Sequence, residues 1–531
     1  MVRLKDKFSS FLKKHNSIVL YLVYSLTFVF LCLFRPQALF YPPYWDSLMG
    51  PFTEGIWLLE NNFNFIKLAM EELPWHMGGP RVYFITLYPS FLAVMMKIIK
   101  NQQLFLLFNH LLTIGLSSGI ITIFFKILRR YISNRISFLF TILTLLHPMY
   151  LSHTYAISME IPILFFSIIA IYYFLKERFI LAGVFSIISF SIKAPSIAIS
   201  MSLVFLYILF YFKRRERNHI KILCFYSLPI WIYLIYEYLG SNFFFGQEMT
   251  QKITPFRGLY RILLYAVKWP DLFCFMLLVP ICFFILFKKY MKTHKTFLNL
   301  RNHLKKDEIE VISVVICGSL LILLANYKVV IPKYLLLGFP FIFILLYRVV
   351  LRNTKKYIFY FVYSMILMFF LLNLWGDVYY FYRDMLSKVF KLPQLETISS
   401  YKFFNVGGNL ESTLAYEKDM EINIETAKFV EKNYSNKKII SNWPISHMLW
   451  HPNYGYVKNN DLYVIDIQKS SLFADEIFEN EKITNNDDYI WIYSKNIFSI
   501  NTPEVYIPGK DILLKKIEKG THQIIIFQRK P

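Results

Sequence analysis

Apolar residues in this chain come in long runs, not in the alternation of a half-buried strand. The first run, residues 18–34 (IVLYLVYSLTFVFLCLF), carries no charge at all. Similar runs recur near 104–126, 136–152, 161–175, 179–192, 195–212, 222–239, 271–287, 311–327, 332–350 and 356–375. Roughly 17–25 mostly apolar residues are what a helix needs to cross the hydrocarbon core of a bilayer. The pattern therefore predicts a polytopic α-helical membrane protein of about eleven spans. No small-residue cleavage site follows the first run, which reads as a retained span and not a removed signal peptide.

The stretches between runs carry the remaining signal. Residues 35–81 form a long polar-to-mixed loop holding Asp46, Glu54, Glu60, Glu71, Glu72 and His76. Within it, PFTEGIWLLE and FIKLAMEEL read as short amphipathic helices lying on the membrane surface. Residues 82–99 either span or form a re-entrant or interfacial piece; the second puts the four basic residues of 126–135 in the cytoplasm and is preferred. After Trp375 the composition changes. LAYEKDMEINIETAKFVEKNY predicts an amphipathic helix, and KKIISNW, DLYVIDI, DDYIWIYS and HQIIIFQ predict strands. The expected organisation is a transmembrane domain over 1–375 and a soluble α/β domain over 376–531.

Composition and charge sharpen this picture. The 531 residues are 56% hydrophobic, with 53 Phe and 38 Tyr, a load that soluble domains rarely hide. The net charge of +23 is unevenly spread: 19 Lys+Arg face 20 Asp+Glu from Gly376 onward, leaving 39 against 15 before it. The excess sits in short loops between spans, which is the positive-inside bias and not a nucleic-acid patch. Basic loops at 126–135, 176–178, 213–221, 288–306 and 352–356 then lie in the cytoplasm with the N-terminus. Asp46, His147, Glu160, Lys193, Arg257, Arg261, Lys333 and the C-terminal domain lie on the opposite, extracytoplasmic side (periplasmic in a bacterium). The five cysteines, Cys32, Cys224, Cys274, Cys282 and Cys317, all fall in or near apolar runs and read as small buried hydrophobes.

Two readings fit each candidate side chain. Asp46, in YPPYWDSLMG, is either the N-cap of a short helix or a partly desolvated base. Glu160, in HPMYLSHTYAISMEIPILFF, is either a carboxylate favoured by a helix N-terminus or part of a site. Lys193 in SIKAPS and Lys333 in IPKY are either snorkelling lysines or partners of an anion. Arg257 and Arg261, four apart, share one helix face, either on a membrane-surface helix or toward a phosphate. His76, His147 and His153 lack metal-ligand spacing and read as interfacial polar residues. Two carboxylates and several cations on one side of a membrane suit group transfer from a lipid-linked phosphate.

Four elements, in order, resemble the multi-span glycosyltransferases of the GT-C fold, in particular the protein O-mannosyltransferases and the lipid A aminoarabinose transferases. They are the acid of YWDS, the segment HPMYLSHTYAISMEIPILFF ending in an acid before a span, the lysine of SIKAPS, and the basic-Tyr pair Lys333-Tyr334 opening a late span. SNWPISHMLWHPNYGYV also resembles the C-terminal domain of some bacterial members. The chain departs from the usual pattern at Ser47, where a second acid is common, and at Glu160, commonly Asp. It also departs at Lys333, commonly Arg, and at GGPRVYFITLYPS, which replaces a His-Pro-Pro segment.

The resemblance implies a polyprenyl-phosphate sugar as donor, a lipid, glycan or protein as acceptor, and a reaction outside the cytoplasm with inversion at the anomeric carbon. Asp46 would be the general base and Glu160 would support the site or orient the acceptor. Lys193, Lys333, Tyr334, Arg81, Arg257 and Arg261 would hold the donor phosphate. No nucleotide-binding or divalent-metal motif is visible, and no cofactor is expected, with dependence on a divalent metal left open by the sequence. A lipid or glycan flippase, and a ligase or polymerase using lipid-diphosphate glycans, are the competing classes.

Overall fold

A computed structural model of the chain describes residues 16–44, 47–65, 67, 87–193, 196–211, 219–239, 336, 356–374, 414, 416–441, 444–459, 462–466, 489–495, 511–519 and 522–529. By their contacts these residues group into two units. One takes residues from Met1–Pro36, Leu111–Ser241 and Thr250–Arg383; the other takes residues from Gln37–His110, Asn242–Met249 and Asp384–Pro531.

The first unit is helical. It contains α1 (Asn16–Phe34), most of α4 (Gln102–Tyr131), α5 (Asn134–Leu145), α6 (Pro148–Tyr155), α7 (Glu160–Leu175), α8 (Phe179–Ile192), α9 (Ile197–Phe210), α10 (His219–Leu239) and α11 (Lys356–Asn373). Eight of the eleven expected spans fall on these helices, and those near 271–287, 311–327 and 332–350 lie outside the described residues apart from Leu336. By length and apolarity, α1 and α4 reach membrane-crossing size, and α5 with α6, bent by 57° at the break, adds a third. The count of eleven remains an expectation of the sequence. Pro148, at the first turn of α6, explains the break, because proline has no N–H for the ladder of α5. Large apolar side chains such as Tyr21, Leu33, Ile220, Trp231 and Phe361 point away from the protein, which is the surface that lipid chains require.

Small residues and hydroxyls hold these helices together. Without a hydrophobic drive between helices in lipid, close approach and interhelical hydrogen bonds do the work. Ser167 Oγ lies 3.0 Å from Ser189 Oγ between α7 and α8, and Ser186 Oγ lies 2.6 Å from Ser200 Oγ between α8 and α9. Ser189 also donates to the Ile163 carbonyl at 3.2 Å. Tyr155 at the end of α6 donates to the Leu31 carbonyl of α1 at 2.6 Å, satisfying an acceptor in the last turn of that helix. Of the cysteines, Cys224 on α10 is exposed and Cys32 half-buried. The expectation of burial fails at Cys224, whose helix turns it outward with the lipid-facing residues; Cys274, Cys282 and Cys317 lie outside the described residues.

The second unit joins residues from 37–110 to the C-terminal segment. A π-helical turn, Leu48–Phe52, runs into α2 (Thr53–Glu60), which packs on α3 (Leu87–Ile98). A Cβ on Gly55 would stand 3.1 Å from the Pro89 carbonyl and 3.2 Å from Leu92 Cβ, so the bare glycine allows that contact. Residues 53–58 are all buried, so α2 is a core element and not a helix lying on a membrane surface. α3 has 12 residues, about 18 Å at the helical rise, too short for a crossing of about 30 Å.

The C-terminal part of this unit is a five-stranded mixed sheet, order β2-β1-β3-β5-β4, with α12 (Tyr416–Tyr434) and α13 (Ile445–Trp450). β1 (Lys438–Ser441) pairs in parallel with β2 (Tyr463–Asp466) and β3 (Tyr489–Lys495); β5 (His522–Arg529) runs antiparallel to β3 and β4 (Asp511–Lys519). Ile440, Trp491, Tyr493 and Phe527 pack as its core. The four expected strands are present. The fifth, β4, escaped the pattern because its register slips between Leu513 and Lys515, breaking the two-residue period. It is also an edge strand, and its lysines suit an edge.

Gly455 takes φ +93° and its Cβ would fall 2.7 Å from Leu106 Cδ1. Gly455→Ala is expected to destabilise the chain by about 1–3 kcal/mol, from the left-handed backbone and the clash. A lowered apparent Tm of the detergent-solubilised protein checks this; Lys515→Ala, at an exposed pair with Glu425, should leave Tm unchanged.

Candidate functional site

The helical hairpin of α7 and α8 brings two candidate residues together. α7 begins at Glu160 and α8 ends at Ile192, so the three-residue turn at 176–178 returns the chain to the level at which it started. Glu177 in that turn takes φ +58°. Glu160 sits at the first position of α7, ahead of Pro162, where the helix dipole favours a carboxylate and proline is preorganised. Lys193 follows α8 in extended conformation, φ −158°, and Pro195 cannot continue the helical ladder. Ser196 covers the exposed end: its N–H donates to the Lys193 carbonyl at 3.2 Å and its hydroxyl at 2.8 Å.

Lys193 Nζ donates to Glu160 Oε1 at 2.9 Å, and each side chain is only 6% exposed. Two charges removed from water are tolerable only with good geometry and further hydrogen bonds. Those bonds are present. Ser158 donates to Glu160 Oε2 in a short contact, and the Glu160 N–H donates to Ser158 Oγ at 3.1 Å. His153 Nδ1 lies 2.8 Å from Ser158 Oγ. A hydroxyl has one proton, and that of Ser158 goes to the carboxylate. His153 therefore donates from Nδ1, and the chain of bonds runs His153 to Ser158 to Glu160, with Lys193 closing the other oxygen.

The backbone between these groups is strained. Ile157, buried and β-branched, takes φ +52°, a conformation such residues avoid. Strain of this kind, about 1–3 kcal/mol, gathers where a loop must aim functional groups. Here it sets the turn from α6 into α7 that carries Ser158 and Glu160.

Sequence reading placed Glu160 and Lys193 on one side of the membrane, and the structure bonds them to each other. It missed Ser158 and His153 as partners. The signal was present: a serine two residues before a helix-opening acid, and a histidine one turn earlier. The interfacial reading of two histidines is corrected, because His147 and His153 are 2% and 1% exposed. His147 packs edge-on against Phe370 of α11, with ring centres 4.8 Å apart. Asp46, Arg81, His76, Arg257, Arg261, Lys333 and Tyr334 lie outside the described residues. Among the described residues no group of His, Cys, Asp and Glu has the arrangement of a metal site.

Breaking the buried pair has a predictable cost. Glu160→Ala, which strands the lysine, is expected to destabilise by about 3–5 kcal/mol, and Glu160→Leu with Lys193→Met to restore much of that loss. Apparent Tm values of the solubilised proteins check this; simple additivity of the two single losses would contradict it.

No protein-family model matches the chain, and no curated protein matches it in sequence. Among solved structures it is similar to ArnT from Cupriavidus metallidurans in the apo state, at 11% identity and a TM-score of 0.50, over 97% of this chain and 98% of that one. ArnT is a lipid A aminoarabinose transferase with the GT-C fold, so the architecture implied by the sequence motifs is shown at the level of the fold.

Proposed function

We propose that the chain is an integral-membrane glycosyltransferase of the cell envelope that moves a sugar from a polyprenyl-phosphate donor to a lipid, glycan or protein acceptor on the extracytoplasmic face. The observation that carries this reading is the buried Lys193–Glu160 pair at the common end of one hairpin, in a chain with the fold of ArnT. A cation so placed in a largely apolar protein is costly, and an anionic substrate gives it a purpose.

Asp46 is the general base in this reading. It removes the proton from the acceptor hydroxyl or amine as that atom attacks the anomeric carbon. The bond between that carbon and the phosphate oxygen breaks, the configuration inverts, and the electron pair leaves with the polyprenyl phosphate. Lys193, Lys333, Arg81, Arg257 and Arg261 offset the charge that grows on the departing phosphate, and Tyr334 donates a hydrogen bond to it. Glu160 holds Lys193 in place, with Ser158 and His153 behind it.

The test incubates membranes containing the chain with a panel of radiolabelled polyprenyl-phosphate sugars. One label is expected to leave the lipid. Asp46→Asn should reduce that transfer by about 10²–10⁴-fold with unchanged amounts of inserted protein. Lys193→Ala should raise the donor KM far more than the acceptor KM. Full activity of Asp46→Asn, or a donor dependence untouched by Lys193→Ala, would refute the assigned roles.

A further inference from the structure

The first outer loop and the C-terminal segment belong to one unit, and they meet on both sides of position 46. On the N-terminal side, Tyr44 donates to Asp419 Oδ2 at 3.0 Å in a buried contact, and its ring lies 5.5 Å from that of Tyr416. The Pro43 carbonyl accepts from the Tyr456 hydroxyl at 3.0 Å, which also touches Met420 Sδ at 3.2 Å. On the C-terminal side, the Tyr454 hydroxyl lies 2.6 Å from Thr53 Oγ1. Thr53 spends its one proton on the Leu48 carbonyl, 2.7 Å away, so Tyr454 is the donor. The two flanks are tied to each other as well: the Ser47 N–H donates to the Tyr44 carbonyl at 3.1 Å.

The two clamping tyrosines are separated by Gly455 alone, whose left-handed backbone packs against Leu106 and Pro42. Burial raises both phenols well above their ordinary range, so each remains a donor at any working pH. Tyr454 is fully buried, and Tyr456 is 3% exposed. The contacts bridge 375 to 413 residues of sequence, so a loop and a domain distant in the chain are fixed to each other.

We propose that Tyr456, Tyr454 and Asp419 of the C-terminal domain are positioning residues for the loop that carries Asp46. The domain acts as a jig for the segment on either side of the base. This rests on the reading of Asp46 as the base, and the experiment has one arm that does not.

The first arm uses the full chain in membranes with Asp46→Cys, and measures the rate of labelling by a membrane-impermeant maleimide. Tyr456→Phe and Tyr44→Phe, which remove one hydroxyl each and keep the rings, are expected to speed labelling about five- to tenfold, the size of one lost hydrogen bond. Lys516→Ala, at an exposed position of β4 in the same domain, should leave the rate unchanged. Unchanged labelling in both phenylalanine variants overturns the clamp. The second arm measures transfer with Asp46 intact. Tyr456→Phe is expected to lower kcat by a similar factor with the donor KM unchanged. A raised donor KM with an unchanged kcat would overturn the positioning role. A wild-type chain without transfer activity sinks the reading of Asp46, and is told apart from failure of the clamp by the labelling rates, which need no turnover.

Discussion

The bond between Lys193 and Glu160 is the constraint around which the helical unit is arranged. A lysine and a glutamate almost fully removed from water must find each other, and the chain brings them within 2.9 Å across 33 residues. That demand sets the register of the α7–α8 hairpin: the turn at 176–178 has to return the chain to the level of Glu160. It also explains the break after α8, because Lys193 leaves helical geometry just where it must turn toward the carboxylate. The strained backbone at Ile157 serves the same end, since Ser158 reaches both the carboxylate and its N–H. A buried ion pair is weak evidence for stability, and well-packed apolar residues often do as well.

The second unit shows a different solution to a related problem. Its first segment, within residues 37–110, is held by residues 375 to 413 positions later in the chain. Here α2 packs on α3 around Trp57, Leu58 and Ala93, and the C-terminal segment adds buried hydrogen bonds. Thr53 to Leu58 are buried; the Tyr456 and Tyr454 hydroxyls donate to Pro43 and Thr53, and the Asp419 carboxylate accepts from Tyr44. The C-terminal α/β part is thus more than a soluble appendage to a membrane domain. Its helix α12 and the Tyr454–Tyr456 turn belong with residues near the start of the chain.

Much of this was legible in the sequence, for reasons tied to particular residues. Unbroken apolar runs announced α1, α4 and the α7–α8 hairpin, because a lipid-facing helix needs no polar stripe. Short β-branched and aromatic runs announced β1, β2, β3 and β5; consecutive residues of β1 and β3 are buried, so both faces of those strands are covered. β4 stayed hidden because a bulge breaks its period and lysines occupy its exposed face. α2 was misjudged as a surface helix because its glutamates, Glu54 and Glu60, suggested a polar face. Glu54 is buried, and Glu60 meets His451 at 3.3 Å. Loop charges led to the expectation that Glu160 and Lys193 share one side of the membrane, but not to their pairing. Nor could the hydrogen bonds from Ser158 and His153 be read, since they depend on the turn at Ile157, which no periodicity encodes.

The central claim is that Lys193, held by Glu160, exists to meet a lipid-borne phosphate. It is tested most directly by binding to the purified chain in detergent, without any acceptor or turnover. Polyprenyl monophosphate is expected to raise the apparent Tm of the wild-type protein, by an amount that grows with its concentration. The uncharged polyprenol should not, and Lys193→Met should lose most of the effect. Equal stabilisation by the alcohol, or an undiminished effect of the phosphate on Lys193→Met, would contradict the account.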